Sequence, residues 1–184
     1  MGVTPYVALL RGVNVAGARR VKMADIRDAL ADAGMDDVTT YIQSGNVILT
    51  SRARSATAVE RAVEDTLEDA FGLGIDVIAR SAAQLDAIVR RNPFAKQARD
   101  PLTVHVGFLK TRPGAAAARA LRDRTFGADE LVLDGSELFL HYPNGSGRSK
   151  MTGAVFERVL GTLYTGRNWK VTTELARLAA GHPG

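Results

Sequence analysis

The order of apolar runs and helical periodicities occurs twice along the chain, and this repeat limits the choice of fold more than any other feature. The first half opens with an apolar strand at residues 6–11, followed by a helix that ends near Gly34. Two β-branched strands flank a tight turn at 43–45, and a helix that ends near Gly72 leads to a strand at 75–79. A third helix follows, so the first half has the order β-α-β-β-α-β-α.

Two helix starts in this half carry Ser or Thr followed three residues later by Glu or Gln. That spacing is the capping box, in which each side chain accepts a hydrogen bond from a backbone N–H group of the other residue. Thr57 with Glu60 predicts a helix start at Thr57, and Ser81 with Gln84 predicts one at Ser81.

The second half repeats the order about 90 residues later, although its side chains differ from those of the first half. Proline at the first helical position and glycine after a helix end mark its helices. The predicted elements are a strand at 103–110, a helix that starts at Pro113, a hairpin around 134–136, a helix capped by Gly161, a short strand at 163–165 and a helix at 172–180.

The order β-α-β-β-α-β is typical of the ferredoxin-like plait, an antiparallel sheet with two helices on one face. We therefore predict an α+β fold that is a tandem duplication of ferredoxin-like (βαββαβ) plaits, each followed by an extra helix. The halves would be 1–92 and 93–184 and would share an interface, because apolar residues occupy both faces of the first half's strands. The alternative is one mixed α+β domain with all strands in a single sheet.

Composition excludes several chemistries. The chain has no cysteine and only three histidines, which rules out disulfides and thiolate metal sites and leaves little material for an imidazole site. His105 and His141 are predicted on neighbouring strands, on one sheet face with Phe139, and we interpret them as packed or surface residues. We therefore expect no metal and no cofactor.

The amino-terminal segment lacks a signal-peptide pattern, and no apolar run approaches the length of a membrane span. These features predict a cytoplasmic protein without membrane contact, and they leave the oligomeric state open.

Positive charge is concentrated in two windows, although the net charge is only +4. Residues 11–22 hold four basic residues and no acid, and residues 138–173 hold five basic residues and one acid. Such windows are typical of proteins that bind anions. Solvated loops would produce the same pattern, and this alternative has about equal weight for either window.

The plait topology brings distant segments of each half together. The loop after the first strand and the first hairpin lie at one end of their sheet, so we expect Arg11, Asn14, Arg19, Arg20 and Lys22 to approach Gln43, Ser44 and Asn46. In the second half, Asn144, Ser146, Arg148 and Lys150 are expected near residues 167–170. If the halves pack with these ends adjacent, both clusters line one cleft.

Several segments resemble a known bacterial family. They are YVALLRGVNV (6–15), VKM (21–23), TYIQSGNV (40–47), GRSKMT (147–152) and RNW (167–169). Together they are similar to the family called domain of unknown function 1697. The resemblance implies the tandem plait fold and a cytosolic bacterial protein, and it implies no established activity.

The leading hypothesis is that the protein binds a small phosphate- or carboxylate-bearing ligand in a basic cleft rich in glycine and asparagine. Glycine loops present backbone N–H groups, and arginine matches phosphate and carboxylate geometry. The predicted ligand-binding residues are Arg11, Asn14, Lys22, Ser44, Asn46, Arg148, Lys150 and Arg167.

Three other functions remain open. They are binding of RNA or DNA, an enzyme that acts on a phosphorylated metabolite, and a protein-interaction scaffold, which a flat apolar patch instead of a basic cleft would favour. The sequence identifies no general acid or nucleophile, so whether the protein is an enzyme is left undecided.

Overall fold

The computed structural model describes residues 2–14, 20–97 and 100–182. The chain divides into two compact units, one formed by Met1–Ala87 with Leu175–Gly184 and the other by Ile88–Glu174. Each unit contains its own four-stranded antiparallel sheet. The alternative of a single sheet shared by all strands is therefore wrong.

The first unit follows the predicted order. Its elements, with the helix α3 that begins in this unit and ends in the other, are β1 (Thr4–Leu10), α1 (Met23–Asp32), β2 (Asp36–Thr40), β3 (Asn46–Ser51), α2 (Ala56–Phe71), β4 (Val77–Ser81) and α3 (Ala82–Arg91). The strand order is β2-β3-β1-β4, so the first strand lies between the third and the fourth. This order places the exit of β1 beside the loop between β2 and β3.

Helices α1 and α2 pack on one face of the first sheet. Apolar residues spaced by three or four positions along each helix meet alternate residues of the strands, as the helical and strand periods require. The helix side chains are Met23, Ile26, Leu30, Val59, Val63 and Leu67, and the strand side chains include Tyr6, Ala8, Leu10, Val47 and Leu49. Val7, Leu9, Ile48 and Ile78, on the opposite face, are also buried, which confirms the expectation that both faces are covered.

One of the two predicted helix caps is wrong. Helix α2 begins at Ala56, and Ser55 is its N-cap, whose hydroxyl accepts a hydrogen bond from the Ala58 backbone N–H group. The predicted partner Glu60 is buried and instead accepts a hydrogen bond from the Ala79 N–H group of β4 at 2.9 Å. The cap predicted at Ser81 is confirmed, because Ser81 and Gln84 exchange both bonds of a capping box.

The second unit repeats the architecture. Its elements, with the last helix that leaves it, are β5 (Val104–Leu109), α4 (Ala115–Arg122), β6 (Glu130–Asp134), β7 (Glu137–His141), α5 (Gly153–Leu160), β8 (Tyr164–Asn168) and α6 (Trp169–Ala180). The strand order β6-β7-β5-β8 is that of the first sheet. Leu121, Phe156 and Leu160 pack with Leu138 and Leu140 to form its helix-side core.

Two helix starts in the second unit differ from the prediction. Helix α4 begins at Ala115 after the N-cap Gly114, so Pro113 lies just before the helix. Helix α6 begins at Trp169, because the Asn168 side chain accepts a hydrogen bond from the Val171 N–H group at 2.9 Å and caps the helix early.

The Tyr164 ring packs over three glycines in the second unit. A Cβ atom added at Gly107, Gly153 or Gly166 would overlap the ring or its hydroxyl group. The ring also lies 5.2 Å from that of Phe156. The absence of side chains at these three positions therefore makes room for one aromatic side chain under helix α5.

Within the described ranges, no helix combines the length and the apolar character needed to cross a bilayer.

Candidate functional site

The loop after β1 is fixed by the side chain of Asn14. This residue has a left-handed backbone, with φ at 55°, a conformation that asparagine tolerates better than most residues. Its amide oxygen accepts a hydrogen bond from the Val21 N–H group at 3.0 Å, and its amide nitrogen donates to the Val21 carbonyl at 2.8 Å. Asn14 therefore closes the loop on Val21. The predicted Arg19 lies outside the described residues.

The same amide joins the loop to the first hairpin. Its nitrogen also donates a hydrogen bond to the backbone carbonyl of Gln43 at 3.0 Å. This bond brings the loop and the hairpin together, as the topology predicts. Because both amide hydrogens of Asn14 are used in this way, the residue mainly positions the segments around it.

The hairpin is shaped by Asn46, which is fully buried. Its amide nitrogen donates hydrogen bonds to the Tyr41 carbonyl at 3.0 Å and to the Ser44 hydroxyl at 3.1 Å. Gly45 has φ at +76°, and a Cβ atom there would lie 2.9 Å from the Leu10 Cβ atom. Asn46 and Gly45 together hold the hairpin against the end of β1.

Ile42, in the same hairpin, has a strained backbone. Its φ is +49°, and a β-branched residue in this region is a conformational outlier. Its side chain is 47% exposed, so burial does not explain the choice of residue. The strain lies one residue before Gln43.

A cavity of about 520 Å³ opens between the loop and the hairpin. Its lining includes Asn14, Arg20, Val21, Lys22 and Gln43. Arg20 and Lys22 are exposed, and neither is paired with a carboxylate in the described part of the chain. Two cations therefore border a concave surface that also contains two amide side chains.

The start of helix α1 adds to the positive potential at this cavity. Lys22 is the N-cap, and its side chain forms no capping hydrogen bond. The first backbone bond of the helix runs from the Ile26 N–H group to the Lys22 carbonyl, so earlier N–H groups lack helical acceptors. Asp25 in the first turn opposes this potential in part.

Arg11 forms an ion pair within the first unit. Its guanidinium lies 3.5 Å from the Asp76 carboxylate, and both side chains are partly exposed. Such a pair contributes little to stability but lowers the net charge that Arg11 presents. The loop and hairpin residues of the predicted set thus lie together, with Ser44 and Asn46 in structural positions.

In the second unit, Arg148 and Lys150 are exposed on either side of Ser149. Arg148 ends the short 3₁₀ turn Ser146–Arg148. The Ser149 hydroxyl donates a hydrogen bond to the Asp129 carboxylate at 2.5 Å and accepts one from the Met151 N–H group at 2.9 Å. Ser149 therefore anchors the loop, whereas its two basic neighbours face solvent.

Arg167 is buried on β8, unlike Arg148 and Lys150. Its guanidinium donates hydrogen bonds to the Thr165 hydroxyl at 2.9 Å and to the Gly166 carbonyl at 2.8 Å. Burial lowers the pKa of Arg167 to about 10, and burial raises the pKa of nearby Tyr164. The guanidinium is therefore held along its own strand. The expectation that the two predicted clusters share one cleft stays a prediction.

The prediction that His105 and His141 share a sheet face is wrong. The strands are neighbours, but the register pairs His105 with Leu140 and His141 with Val104. His105 therefore lies on the face opposite to Phe139. His141 bonds to Glu130 at 2.8 Å, whereas the buried Nδ1 atom of His105 has no hydrogen-bond partner among the residues that the structure describes. Among the described residues, no group of three or more metal-ligating side chains occurs.

Arg20 and Gln43 line the cavity but are absent from the predicted ligand-binding set. Both belong to the loop and the hairpin that the topology brings together, and this placement could have identified them as candidates. The choice among the residues of those segments depends on side-chain directions, which charge and spacing do not define.

Comparison with known proteins identifies a family and a similar solved structure. Residues 3–139 match the model of the family described as "Protein of unknown function (DUF1697)". The structure titled "The structure of conserved bacterial protein SP0830 from Streptococcus pneumoniae" is similar, with a TM-score of 0.73 and 23% sequence identity over 97% of this chain and 99% of that chain. No curated protein matches the chain significantly. The structural likeness concerns the fold alone.

Proposed function

Because the chain belongs to the DUF1697 family of proteins of unknown function, we propose a function from the geometry of its first unit: it binds a small anionic ligand, bearing phosphate or carboxylate, in the cavity beside Lys22. The observation that carries this proposal is the placement of Arg20 and Lys22 around one concave surface without carboxylate partners in the described residues.

The proposed roles follow from the contacts. Arg20 and Lys22 contact the anion, since guanidinium and ammonium groups form charge-assisted hydrogen bonds with phosphate and carboxylate oxygens. The Gln43 amide donates a further bond, and Asn14 holds the loop that carries the cations. Ser44 and Asn46 keep the hairpin in shape.

Arg11 acts at longer range in this proposal. It adds positive potential that its ion pair with Asp76 reduces. We also propose that Arg148, Lys150 and Arg167 form a basic cluster in the second half.

We also infer that each half, 1–92 and 93–184, is a ferredoxin-like plait. What supports this inference is the strand order, in which the first strand lies between the third and fourth and every neighbouring pair is antiparallel. The split βαβ arrangement has this order.

The proposal predicts that anions stabilise the protein and that removal of either cation weakens this effect. The measurement is the thermal unfolding midpoint, with isothermal titration for affinity, using pyrophosphate and citrate as probes at low salt. A ligand that binds only the native state raises the midpoint with its concentration. Lys22→Gln and Arg20→Gln should each weaken binding about tenfold, since one hydrogen bond to a charged group contributes about 1.5 kcal/mol.

The matched control is Arg61→Gln on helix α2, which removes one exposed positive charge from the same unit. Arg61→Gln should leave the affinity within about twofold, the change expected from loss of a distant screened charge. The proposal is overturned if neither anion binds the full chain, or if Arg61→Gln weakens binding as much as Lys22→Gln does.

Nucleic acid as the anion gives a different result in the same experiment. Each neutralised phosphate of single-stranded nucleic acid lowers the logarithm of affinity by about 0.7 per logarithmic unit of salt. Mixed RNA would then bind tightly, the logarithm of its affinity would fall by several units per logarithmic unit of salt, and neither pyrophosphate nor citrate would bind. That result would identify the ligand as nucleic acid and not as a small anion.

A further inference from the structure

The second unit repeats the local geometry that surrounds the first cavity. Where β1 leaves its sheet, the Leu10 N–H group donates to the Gly45 carbonyl of the hairpin at 2.8 Å. Where β5 leaves its sheet, the Leu109 N–H group donates to the Ser136 carbonyl of the second hairpin at 2.9 Å. The loop before α4 and the β6–β7 hairpin therefore occupy the places that the loop before α1 and the β2–β3 hairpin occupy in the first unit.

A cavity of about 370 Å³ lies at this equivalent place. It is bordered by the segment that leads into α4, by one face of that helix and by the β6–β7 hairpin. Its lining residues are Arg112, Pro113, Ala115, Ala118, Arg122, Leu133 and Gly135.

Two arginines border this cavity from opposite ends of α4. Arg112 precedes the helix, and Arg122 is its last residue. The Arg122 Nε atom donates a hydrogen bond to the Ala118 carbonyl at 3.2 Å, which turns the guanidinium back along the helix towards the end where Arg112 lies. Neither arginine is paired with a carboxylate in the residues that the structure describes.

The two acidic residues beside the turn of the hairpin, Asp134 and Glu137, form ion pairs with another arginine. Arg91 contacts the Asp134 carboxylate at 3.2 Å and the Glu137 carboxylate at 2.5 Å. Arg112 and Arg122 form no ion pair with these two carboxylates. In addition, Gly114 provides no side-chain cap for α4, so the first N–H groups of the helix add positive potential near Arg112.

Apart from the two arginines, the described residues that line this cavity have no polar side chain. Pro113, Ala115, Ala118 and Leu133 contribute apolar surface to the lining. A cavity that combines two guanidinium groups with apolar side chains fits a ligand that joins an anionic group to an apolar body, because each part then contacts matching chemistry.

We propose that the second unit binds an organic anion, a phosphate or carboxylate group attached to an apolar body, in the cavity between α4 and the β6–β7 hairpin. Arg112 and Arg122 bind the anionic group, and the alanine face of α4 with Leu133 contacts the apolar body. This site does not depend on the function proposed for the first unit.

The test is titration of the full isotope-labelled chain with phenyl phosphate or benzoate, followed by amide resonances. Phenyl phosphate should shift the amides of residues 115–118 and Gly135, and benzoate should do the same if carboxylate is accepted. Arg112→Gln lies outside the helix and should weaken phenyl phosphate binding at these amides about tenfold. Arg122→Gln should act similarly, and its unfolding midpoint shows whether the helix is intact.

Arg119→Gln is the matched control, because Arg119 is exposed on the same helix and does not line the cavity. It should change the affinity by less than about twofold, as expected for a screened charge. The proposal is overturned if these amides do not move, if Arg119→Gln weakens binding as much as Arg112→Gln, or if inorganic phosphate binds as tightly as phenyl phosphate. Shifts confined to Lys22 and Gln43 would also overturn it and would support the first cavity alone.

Discussion

Ile42 combines a left-handed backbone with a branched, half-exposed side chain, and this combination costs folding free energy. A left-handed conformation costs an L-residue about 1–2 kcal/mol, whereas glycine adopts it freely. The neighbouring bonds of Asn46 to Tyr41 and Ser44 hold the hairpin in this conformation. The residue is therefore strained by its surroundings and gains little burial in return.

Ile42→Gly should stabilise the protein by about 0.5–1 kcal/mol, because relief of the strain exceeds the extra chain entropy of glycine in the unfolded state. The control is Val132→Gly, which removes a side chain of similar exposure, 40%, from the extended strand β6. That variant should lose about 1 kcal/mol, since glycine weakens a strand. Denaturant unfolding measures both changes. A loss of stability in Ile42→Gly would show that the side chain makes a contact that outweighs the strain.

At the level of elements, glutamates on the helices accept hydrogen bonds from one edge strand of each sheet, β4 in the first and β8 in the second. The Glu60 and Glu64 side chains of α2 accept hydrogen bonds from the Ala79 and Val77 N–H groups of β4. In the second unit, Glu157 of α5 accepts one from the Tyr164 N–H group of β8. These bonds satisfy edge N–H groups that would otherwise be able to pair with another chain.

Glu60→Ala should destabilise the protein by about 2 kcal/mol, because it leaves the buried N–H group of Ala79 without an acceptor. Hydrogen exchange at the Ala79 amide should become faster relative to the rest of β4. Glu68→Ala, on the exposed side of the same helix, is the control and should change stability by less than about 0.5 kcal/mol. Equal losses in the two variants would contradict a role for Glu60 at the sheet edge.

Most of the element order could be predicted because apolar spacing and glycine positions are local signals. The cap at Thr57 could not be predicted correctly, since the same Ser/Thr and Glu spacing serves a local cap or a tertiary bond, and Glu60 reaches a strand that is 19 positions away. The early start of α6 likewise depends on the Asn168 cap inside a basic segment. Local patterns identify elements, whereas their ends depend on partners elsewhere in the chain.

The candidate site was predictable to a similar degree. Topology alone places the loop after β1 beside the first hairpin, and the Asn14 bond to Gln43 agrees with it. The burial of Arg167 could not be derived from charge, because a cationic residue on a strand lies on either face depending on register. No sequence feature predicts the cavity lined by Arg112 and Arg122, since single arginines outside a basic window resemble ordinary surface residues.

At the scale of the whole molecule, the first unit is not one continuous piece of sequence, whereas the second unit is. The carboxyl-terminal segment Leu175–Gly184 belongs to the unit formed by Met1–Ala87, and His182 contacts the backbone carbonyl of Asp37 at 2.5 Å within it. The final helix therefore starts in one unit and ends in the other. A duplicated order of elements does not by itself predict that the last segment belongs to the first unit.

The stability of the whole chain should depend on pH through His105. Burial lowers the pKa of His105, and its ring meets that of Tyr142 edge-on at 5.1 Å. Within the described part of the chain, its Nδ1 atom has no hydrogen-bond partner. As the pH falls below the unfolded value of about 6.5, the unfolded chain binds a proton that the folded chain resists. The free energy of unfolding should therefore fall with decreasing pH, by at most about 1.4 kcal/mol per pH unit for this one group.

His105→Leu should remove this part of the acid sensitivity and leave stability at neutral pH equal or higher, because the unpartnered buried nitrogen is lost. Denaturant unfolding between pH 5 and pH 8, spanning the normal histidine range, measures the slope. Leu140→Val, at the position paired with His105, is the control, since it lowers stability without removing a titratable group and should keep the wild-type slope. If His105→Leu also kept that slope, the acid sensitivity would arise from other groups, and burial of neutral His105 would not couple folding to pH.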